Sequence, residues 1–163
     1  MAGLFLCGGS ALAVPAQLYN KTVVVSATLS VTAVADDGSA LNRPRTVQRT
    51  IYISNKGRLF VRVQRQTGDR STSADRGPED TSKAFRFDGS KLVGVLQFPS
   101  GAAQMVISFD SAYSSCSHSI VFGREGGKPV RFKGLNGKMY TQQGSFNVSG
   151  LSCSIRDGNP FAQ

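Results

Sequence analysis

The sequence has little of what catalytic and metal sites are usually built from. Its 163 residues include one histidine, three cysteines and no tryptophan. Ten acids stand against nineteen Lys or Arg residues. No GxSxG, P-loop or GxGxxG pattern is present. We therefore expect that the chain is not an enzyme, has no catalytic residues and carries no cofactor.

The one histidine, His118, lies two residues from Cys116. In a strand, residues i and i+2 point the same way at a separation of ~6–7 Å. A nucleophile and its base need a contact of ~2.6–3.2 Å, so a catalytic thiol is not expected. Two cysteines and one histidine also match no standard zinc spacing, and we predict no metal site.

The N-terminal apolar stretch, residues 1–16 (MAGLFLCGGSALAVPA), is too short to span a bilayer as a helix. It ends in small residues, and both Ala11-Leu-Ala13 and Val14-Pro-Ala16 suit cleavage. We predict a signal peptide over residues 1–16, a single β domain over 17–163 and no transmembrane span. The alternative is an apolar N-terminal strand. No Lys or Arg precedes the apolar run, so either the true start lies upstream or the signal is atypical.

Removal of this leader would leave two cysteines, Cys116 and Cys153. An even number in an exported chain predicts a disulfide and a periplasmic or secreted location. The formal net charge of +9 favours anionic partners. The candidates are an anionic polysaccharide, a lipid headgroup or an envelope protein. Nucleic acid is not expected, because no RNP sequence, GxxG clamp or zinc finger is present.

The patterning is that of strands. β-branched residues alternate with Ser and Thr through residues 21–35, eighteen glycines punctuate the chain, and no run has helical spacing. We predict an all-β fold, an antiparallel meander of about eight strands closing into a small barrel. A two-sheet β-sandwich is the alternative. The phase of the last strand slips at Ser149-Gly150, which predicts a bulge, and Gly94 is predicted to lie opposite Ile107.

Residues 45–66 (RTVQRTIYISNKGRLFVRVQRQ) form the clearest hairpin. Its turn, Asn55-Lys56-Gly57, suits a three-residue loop that ends in a left-handed glycine. Pairing Ser54 with Arg58 places Ile51 opposite Val61 on an apolar face. Arg49 and Arg65 fall on that same face, so either the face reaches solvent at its end or the pairing is wrong there.

The other face of the hairpin pairs Tyr52 with Phe60 and flanks them with Arg58 and Arg62. These four residues are the candidate ligand-binding site. The alternative is a solvated face whose aromatic pair only stabilises the sheet. Residues 67–82, almost without apolar side chains, are predicted to be a mobile loop. A structural or inhibitory protein that presents this loop or the segment before Lys21 to a partner protein is the second functional hypothesis.

Four phrases carry a resemblance: residues 52–58 (YISNKGR), 120–127 (IVFGREGG), 134–140 (GLNGKMY) and 152–159 (SCSIRDGN). Together they are similar to a group of uncharacterised small exported proteins of Gram-negative bacteria. The resemblance implies export and supports the disulfide. It implies no particular ligand or site.

Overall fold

The computed structural model describes residues 13–98, 101–122, 130–134 and 136–162. The prediction of an all-β, antiparallel fold is confirmed. The described strands are β1 (Lys21–Ala35), β2 (Ala40–Asn42), β3 (Arg45–Ile53), β4 (Leu59–Thr67), β5 (Arg70–Arg76), β6 (Phe85–Asp88), β7 (Lys91–Phe98), β8 (Gly101–Phe109), β9 (Cys116–Phe122), β10 (Arg131–Lys133) and β11 (Met139–Asp157).

The strands form two sheets. A seven-stranded sheet has the order β10-β11-β1-β3-β4-β5, with β2 paired to β1, and it curls into a half-barrel. A four-stranded sheet has the order β6-β7-β8-β9. Both sheets contribute to one core. Its members include Val23, Val25, Leu29, Val47, Ile51, Ile53, Leu59, Val61 and Val63 from the larger sheet, and Phe85, Phe87, Leu92, Leu96, Ala103, Met105, Ile107 and Phe109 from the smaller.

The hairpin of β3 and β4 has the predicted register. Ile51 pairs with Val61, Tyr52 with Phe60 and Arg49 with Val63. Gly57 closes the turn at φ +68°, a left-handed conformation that glycine adopts without strain. Ser54 N–H donates to the Arg58 carbonyl at 2.9 Å, so the predicted turn is confirmed.

The bulge predicted in the last strand is also confirmed. Ser26 pairs with Ser152 but Thr28 pairs with Ser149, which leaves an extra residue in β11 beside Gly150. A second shift follows between Ser30 and Thr32. Bulges increase local twist and bend the strand. These two therefore help the long pair of β1 and β11 to follow the curl of the half-barrel.

The structure corrects the prediction for residues 67–82. The sequence predicts a loop there and no helix, but the segment holds β5 and the start of a short helix, α1 (Pro78–Ala84). β5 is exposed throughout and pairs with β4 from Val61 to Thr67. Its polar side chains show no periodicity, because neither of its faces is buried. α1 starts with Pro78, followed by Glu79 and Asp80, which are favourable residues for the first turn of a helix.

The predicted partner of Gly94 was wrong. Gly94 pairs with Met105, and Ile107 pairs with Leu92, in the register that begins with Phe98 paired to Gly101. On its other side Gly94 pairs with Phe85 of β6. A Cβ atom at Gly94 would meet Phe85 Cε1 at 2.6 Å. The missing side chain therefore makes room for an aromatic ring.

The predicted disulfide is confirmed: Cys116 and Cys153 are bonded, with their Cα atoms 5.6 Å apart. Cys116 begins β9 and Cys153 lies in β11, so the bond ties the smaller sheet to the larger one. Within the described ranges, no helix is long and apolar enough to cross a membrane. Residues 1–12 of the predicted signal peptide lie outside the described residues. Val14 is partly buried and packs against the core.

Candidate functional site

The predicted aromatic pair lies on the outer face of the β3–β4 hairpin. The rings of Tyr52 and Phe60 are 6.1 Å apart. Tyr52 is only 8% exposed, and its hydroxyl donates to Asn20 Oδ1 at 3.1 Å. Phe161 adds a third ring, 6.5 Å from Tyr52. Most of the tyrosine surface is therefore already covered by the chain itself.

Arg62 is also engaged on this face. Its Nε and Nη2 atoms donate to the two oxygens of Asp75 at 2.7 and 2.9 Å. These bonds lower the pKa of the Asp75 carboxyl and raise that of Arg62. The guanidinium also lies 4.8 Å from the ring centroid of Phe161. Arg58 is exposed, and it is the only one of the four candidate residues without such a contact among the described residues.

The structure thus brings Tyr52, Phe60 and Arg62 together and makes them pack with Asp75 and Phe161. Arg58 instead lines an open groove with Leu59, Phe85, Arg86, Glu79 and Asp80, between the hairpin turn and α1. Charges of both signs line this groove. It is therefore no better suited to an anion than to a cation.

The inner face of β3, β4 and β5 carries a set of charged residues that the predicted site on the outer face does not include. Residues paired across antiparallel strands point to the same side of the sheet. Arg49 pairs with the core residues Val25 and Val63, and Arg65 pairs with Val47. Arg76 pairs with Val61. With Arg45 and Arg70, at the far end of the same face, these arginines form what we call the inner arginine face: Arg45, Arg49, Arg65, Arg70 and Arg76.

No acid shares this face within β3, β4 and β5. The acid of β5, Asp75, is on the opposite side, where it pairs with Arg62. Burial falls along the strands, from Ile53 and Leu59 near the hairpin turn to Arg45 and Arg70, which are exposed. The inner arginine face therefore runs from the core to solvent.

Arg49 is the most unusual member. It is only partly exposed, and within the described part of the chain its side chain has no ion pair or hydrogen bond. Burial, together with the positive charges of Arg65 and Arg76, lowers its pKa to about 10. A buried cation without a partner is costly, so its retention calls for an explanation.

His118 lies on the opposing sheet. It pairs with the buried residue Ile107 and is itself 9% exposed. Burial lowers the pKa of its imidazole, the backbone of Ser152 raises it, and the charge of Arg49 lowers it again. Its Nδ1 atom is buried without a hydrogen-bond partner. Polar atoms in this situation are rare in folded proteins.

Metal ligands do not cluster here. Among the residues that the structure describes, no three His, Cys, Asp or Glu side chains come together to hold an ion. The cysteine nearest to His118 in sequence, Cys116, is held in the disulfide, so it has no free thiol in this structure.

The sequence contained part of the signal for the inner arginine face. The hairpin register already assigned Arg49 and Arg65 to the apolar side, and that register is confirmed. Arg70 and Arg76 were missed, because their segment was predicted as a loop. His118 was considered only as a base or a ligand. Its position across from Arg49 depends on how the two sheets pack.

Comparisons with protein-family models, with curated proteins and with solved structures found no match, so a function has to be inferred from the arrangement of these side chains.

Proposed function

We propose that the chain is an exported, disulfide-stabilised β module that binds an acidic polysaccharide on the inner arginine face. The observation that carries this proposal is the grouping of five arginines on one face of β3, β4 and β5, with no acid beside them. The face is open to solvent at Arg45 and Arg70. An anionic chain can therefore reach it.

The distribution of charge supports an anionic partner. Residues 43–76 contain nine Lys or Arg residues and two acids, which is +7 of the formal +9 of the whole chain. Only one ion pair, Arg62 with Asp75, occurs among the described residues of this segment. Like charges held together on one surface repel one another, and a bound polyanion removes that repulsion.

The polysaccharide is favoured over the other anionic partners by the shape of the charged surface. The arginines lie on three adjacent strands about 4.8 Å apart. Two lie along β3, two lie along β5, and Arg65 lies between them in β4. A flexible chain with regularly spaced negative groups can contact several of them at once. A lipid headgroup or an envelope protein with an acidic patch is the alternative partner, and the binding experiment separates the three.

Location outside the cytoplasm is part of the proposal. Disulfides persist in oxidising compartments and are rare in the cytosol. The bond between Cys116 and Cys153 is consistent with this, as is the resemblance to small exported proteins of Gram-negative bacteria. We propose binding without catalysis, because the one histidine and the bonded cysteines offer no nucleophile with a positioned base.

The test uses two variants with equal charge changes. Arg45→Gln with Arg70→Gln removes two exposed cations from the inner arginine face. Arg86→Gln with Lys91→Gln removes two exposed cations from the smaller sheet. With an acidic polysaccharide, we expect the first variant to bind at least about tenfold more weakly and the control to bind normally. Binding of the wild type should also weaken steeply as salt rises.

Equal losses in the two variants, or binding that salt does not affect, would contradict the proposal. A neutral dextran is the ligand control. Binding to anionic vesicles without binding to the polysaccharide would assign the face to a lipid headgroup instead. Capture of an acidic protein by wild type, with no polysaccharide binding, would assign it to a protein partner.

A further inference from the structure

We infer that the part of the inner arginine face around Arg49, formed by Arg49, Arg65 and Arg76 with His118 opposite them, is a subsite for a phosphate monoester. This inference rests on the proposed function, since the three arginines belong to the face assigned to the anionic ligand. It adds the chemical identity of the group that enters deepest. It also adds a residue, His118, from the other sheet.

The fold brings these four residues together from both sheets. On the larger sheet, Cys153 pairs with Val25, and Val25 pairs with Arg49, so the three side chains lie in one row on the inner face. The disulfide links Cys153 to Cys116, two residues before His118 in β9. The bond therefore holds His118 over the row that contains Arg49. The two are near enough for the charge of Arg49 to affect the imidazole.

The imidazole of His118 has a buried nitrogen atom without a hydrogen-bond partner. His118 is 9% exposed, and its Nδ1 atom makes no hydrogen bond. Burying such an atom without a partner destabilises the folded state. The backbone of Ser152 interacts with the imidazole, and its strand neighbour is Ile107, but neither supplies a partner for Nδ1. A ligand that hydrogen-bonds Nδ1 supplies the missing interaction.

The charges identify the ligand as an anion with more than one negative charge. Arg49 is largely removed from solvent, and Arg65 and Arg76 add to the positive potential around it. No acid of the described residues pairs with any of these arginines. A single carboxylate would balance one guanidinium. A phosphate monoester carries about −1.5 to −2 charges at neutral pH and has three acceptor oxygens for guanidinium donors.

The histidine distinguishes phosphate from sulfate. A neutral imidazole nitrogen either donates or accepts, depending on the tautomer. A phosphate monoester has a second pKa of about 6, so it offers both a charged oxygen and, in its monoanion, a hydroxyl. It can therefore satisfy Nδ1 in either tautomer. A sulfate ester has no proton at neutral pH, and it can satisfy only the tautomer that donates.

The arginines form the side of the subsite that is open to solvent. Exposure falls from Arg76, which is exposed, through Arg65, which is half-buried, to His118. A ligand on the open part of the inner arginine face can thus place its phosphate against Arg49 and His118. The remainder of the ligand would stay near solvent.

The experiment follows the ring of His118, the only histidine in the chain, by NMR during titration with inorganic phosphate and with glycerol phosphate. We expect a saturable shift of the His118 ring with both, and at least tenfold weaker saturation with sulfate. Arg49→Met should abolish the shift while the apolar part of the side chain keeps its packing. Arg86→Met, which removes one charge from the smaller sheet, should leave the titration unchanged.

Stability measurements without ligand provide the second readout. If Arg49 serves a ligand, Arg49→Met removes an unpaired cation and its repulsion from Arg65 and Arg76. We therefore expect its thermal midpoint to equal or exceed that of the wild type. A lower midpoint would show that Arg49 is needed for folding, and it would overturn the inference. Arg76→Met changes an exposed position and provides a test that does not depend on whether the Arg49 variant folds. It should weaken phosphate binding by about tenfold.

The absence of a phosphate-dependent shift at His118, or an equal response to sulfate, would overturn the inference as well. Vesicles of phosphatidic acid in phosphatidylcholine distinguish a lipid-borne phosphate from a soluble monoester, and either source supports the subsite. The Arg45→Gln, Arg70→Gln variant separates the two proposals. If it binds phosphate normally and the wild type ignores polysaccharide, the subsite stands and the proposed function fails. If the wild type binds polysaccharide and phosphate does not shift the His118 ring, the proposed function stands and the subsite fails.

Discussion

Gly94 is a residue whose role lies in the side chain it lacks. It pairs with Phe85, and the ring of Phe85 occupies the position that a Cβ atom would take, with Cε1 2.6 Å and Cδ1 2.9 Å away. Both residues are buried. An aromatic ring packed over a glycine in the neighbouring strand covers backbone that would otherwise face the core without a contact.

We predict that Gly94→Ala lowers the free energy of unfolding by about 1–3 kcal/mol, because the added methyl group overpacks the contact with Phe85. Urea unfolding would measure the change. Gly77→Ala is the control. Gly77 has a negative φ and open space around its Cβ position. Alanine is a poorer N-cap residue than glycine but lowers the entropy of the unfolded chain, and the two effects offset each other, so this variant should change stability by less than about 0.5 kcal/mol. Equal effects of the two substitutions would contradict the packing argument.

At the same scale, the outer hairpin face shows what local patterning can predict. Alternation and turn length were enough to pair Tyr52 with Phe60, and the two rings do meet. The pattern contained no information that Asn20 and Phe161, from distant parts of the chain, would cover Tyr52. The exposure of a site depends on such distant contacts, and the hairpin sequence alone does not contain them.

Among the elements, α1 contacts the sheet through a buried hydroxyl. Thr81 is fully buried, and its Oγ1 atom is 2.5 Å from the Leu59 carbonyl oxygen in β4. Thr81 Oγ1 is also 3.1 Å from the carbonyl oxygens of Gly77 and of Pro78. The short helix therefore closes the turn end of the hairpin through a polar contact within an otherwise apolar region.

We predict that Thr81→Val, which keeps the shape of the side chain, lowers the free energy of unfolding by about 1–3 kcal/mol. The Leu59 carbonyl would lose its donor, and the valine has nothing with which to replace it. Thr32→Val, at an exposed position in β1, is the matched control and should stay within about 0.5 kcal/mol of the wild type. Thermal and urea unfolding of both variants would measure the difference. No loss in Thr81→Val would show that the contact contributes little.

The contrast between β1 and β5 explains which elements could be predicted. Residues 21–35 alternate because one face of β1 is buried, and the predicted bounds match the strand. β5 is exposed along its whole length, and its strand conformation comes from pairing with β4. A strand that forms through backbone pairing with its neighbour needs no alternation of apolar and polar side chains, so its sequence does not predict it. α1, with seven residues, is too short to develop an amphipathic pattern.

For the molecule as a whole, the disulfide is a covalent cross-link between the two sheets. Its cysteines are 37 residues apart in sequence. In the loop-entropy account, closing a loop of that length stabilises the fold by about 4 kcal/mol. The bond also fixes His118 over the larger sheet, because Cys116 and His118 are neighbours on one face of β9.

We predict that replacing both cysteines with serine lowers the free energy of unfolding by about 4 kcal/mol, and that the wild type under reducing agent loses a similar amount. Unfolding in urea with and without reductant would measure this. The double variant should not respond to reductant, which provides the control. A variant as stable as the oxidised wild type would show that non-covalent packing alone holds the sheets together.

The arrangement of the sheets was only partly predictable. Local alternation indicated antiparallel strands, and it left a barrel and a sandwich as alternatives. The structure has features of each, with a sheet curled into a half-barrel and a second sheet that shares its core. The deciding contact is the pairing of β1 with β11, which joins Lys21 to Asp157. Strand order at such sequence separations is not encoded in any local pattern.

That long pairing sets an order of events during synthesis. β1 lies at the centre of the larger sheet, between β3 and β11, so one of its edges stays open until residues 139–157 have been made. Contacts between distant segments form slowly, because the intervening chain must first be brought together. The topology that joins the two ends of this fold therefore delays completion of the larger sheet until nearly the whole chain is available. Such a delay would suit the export that we propose.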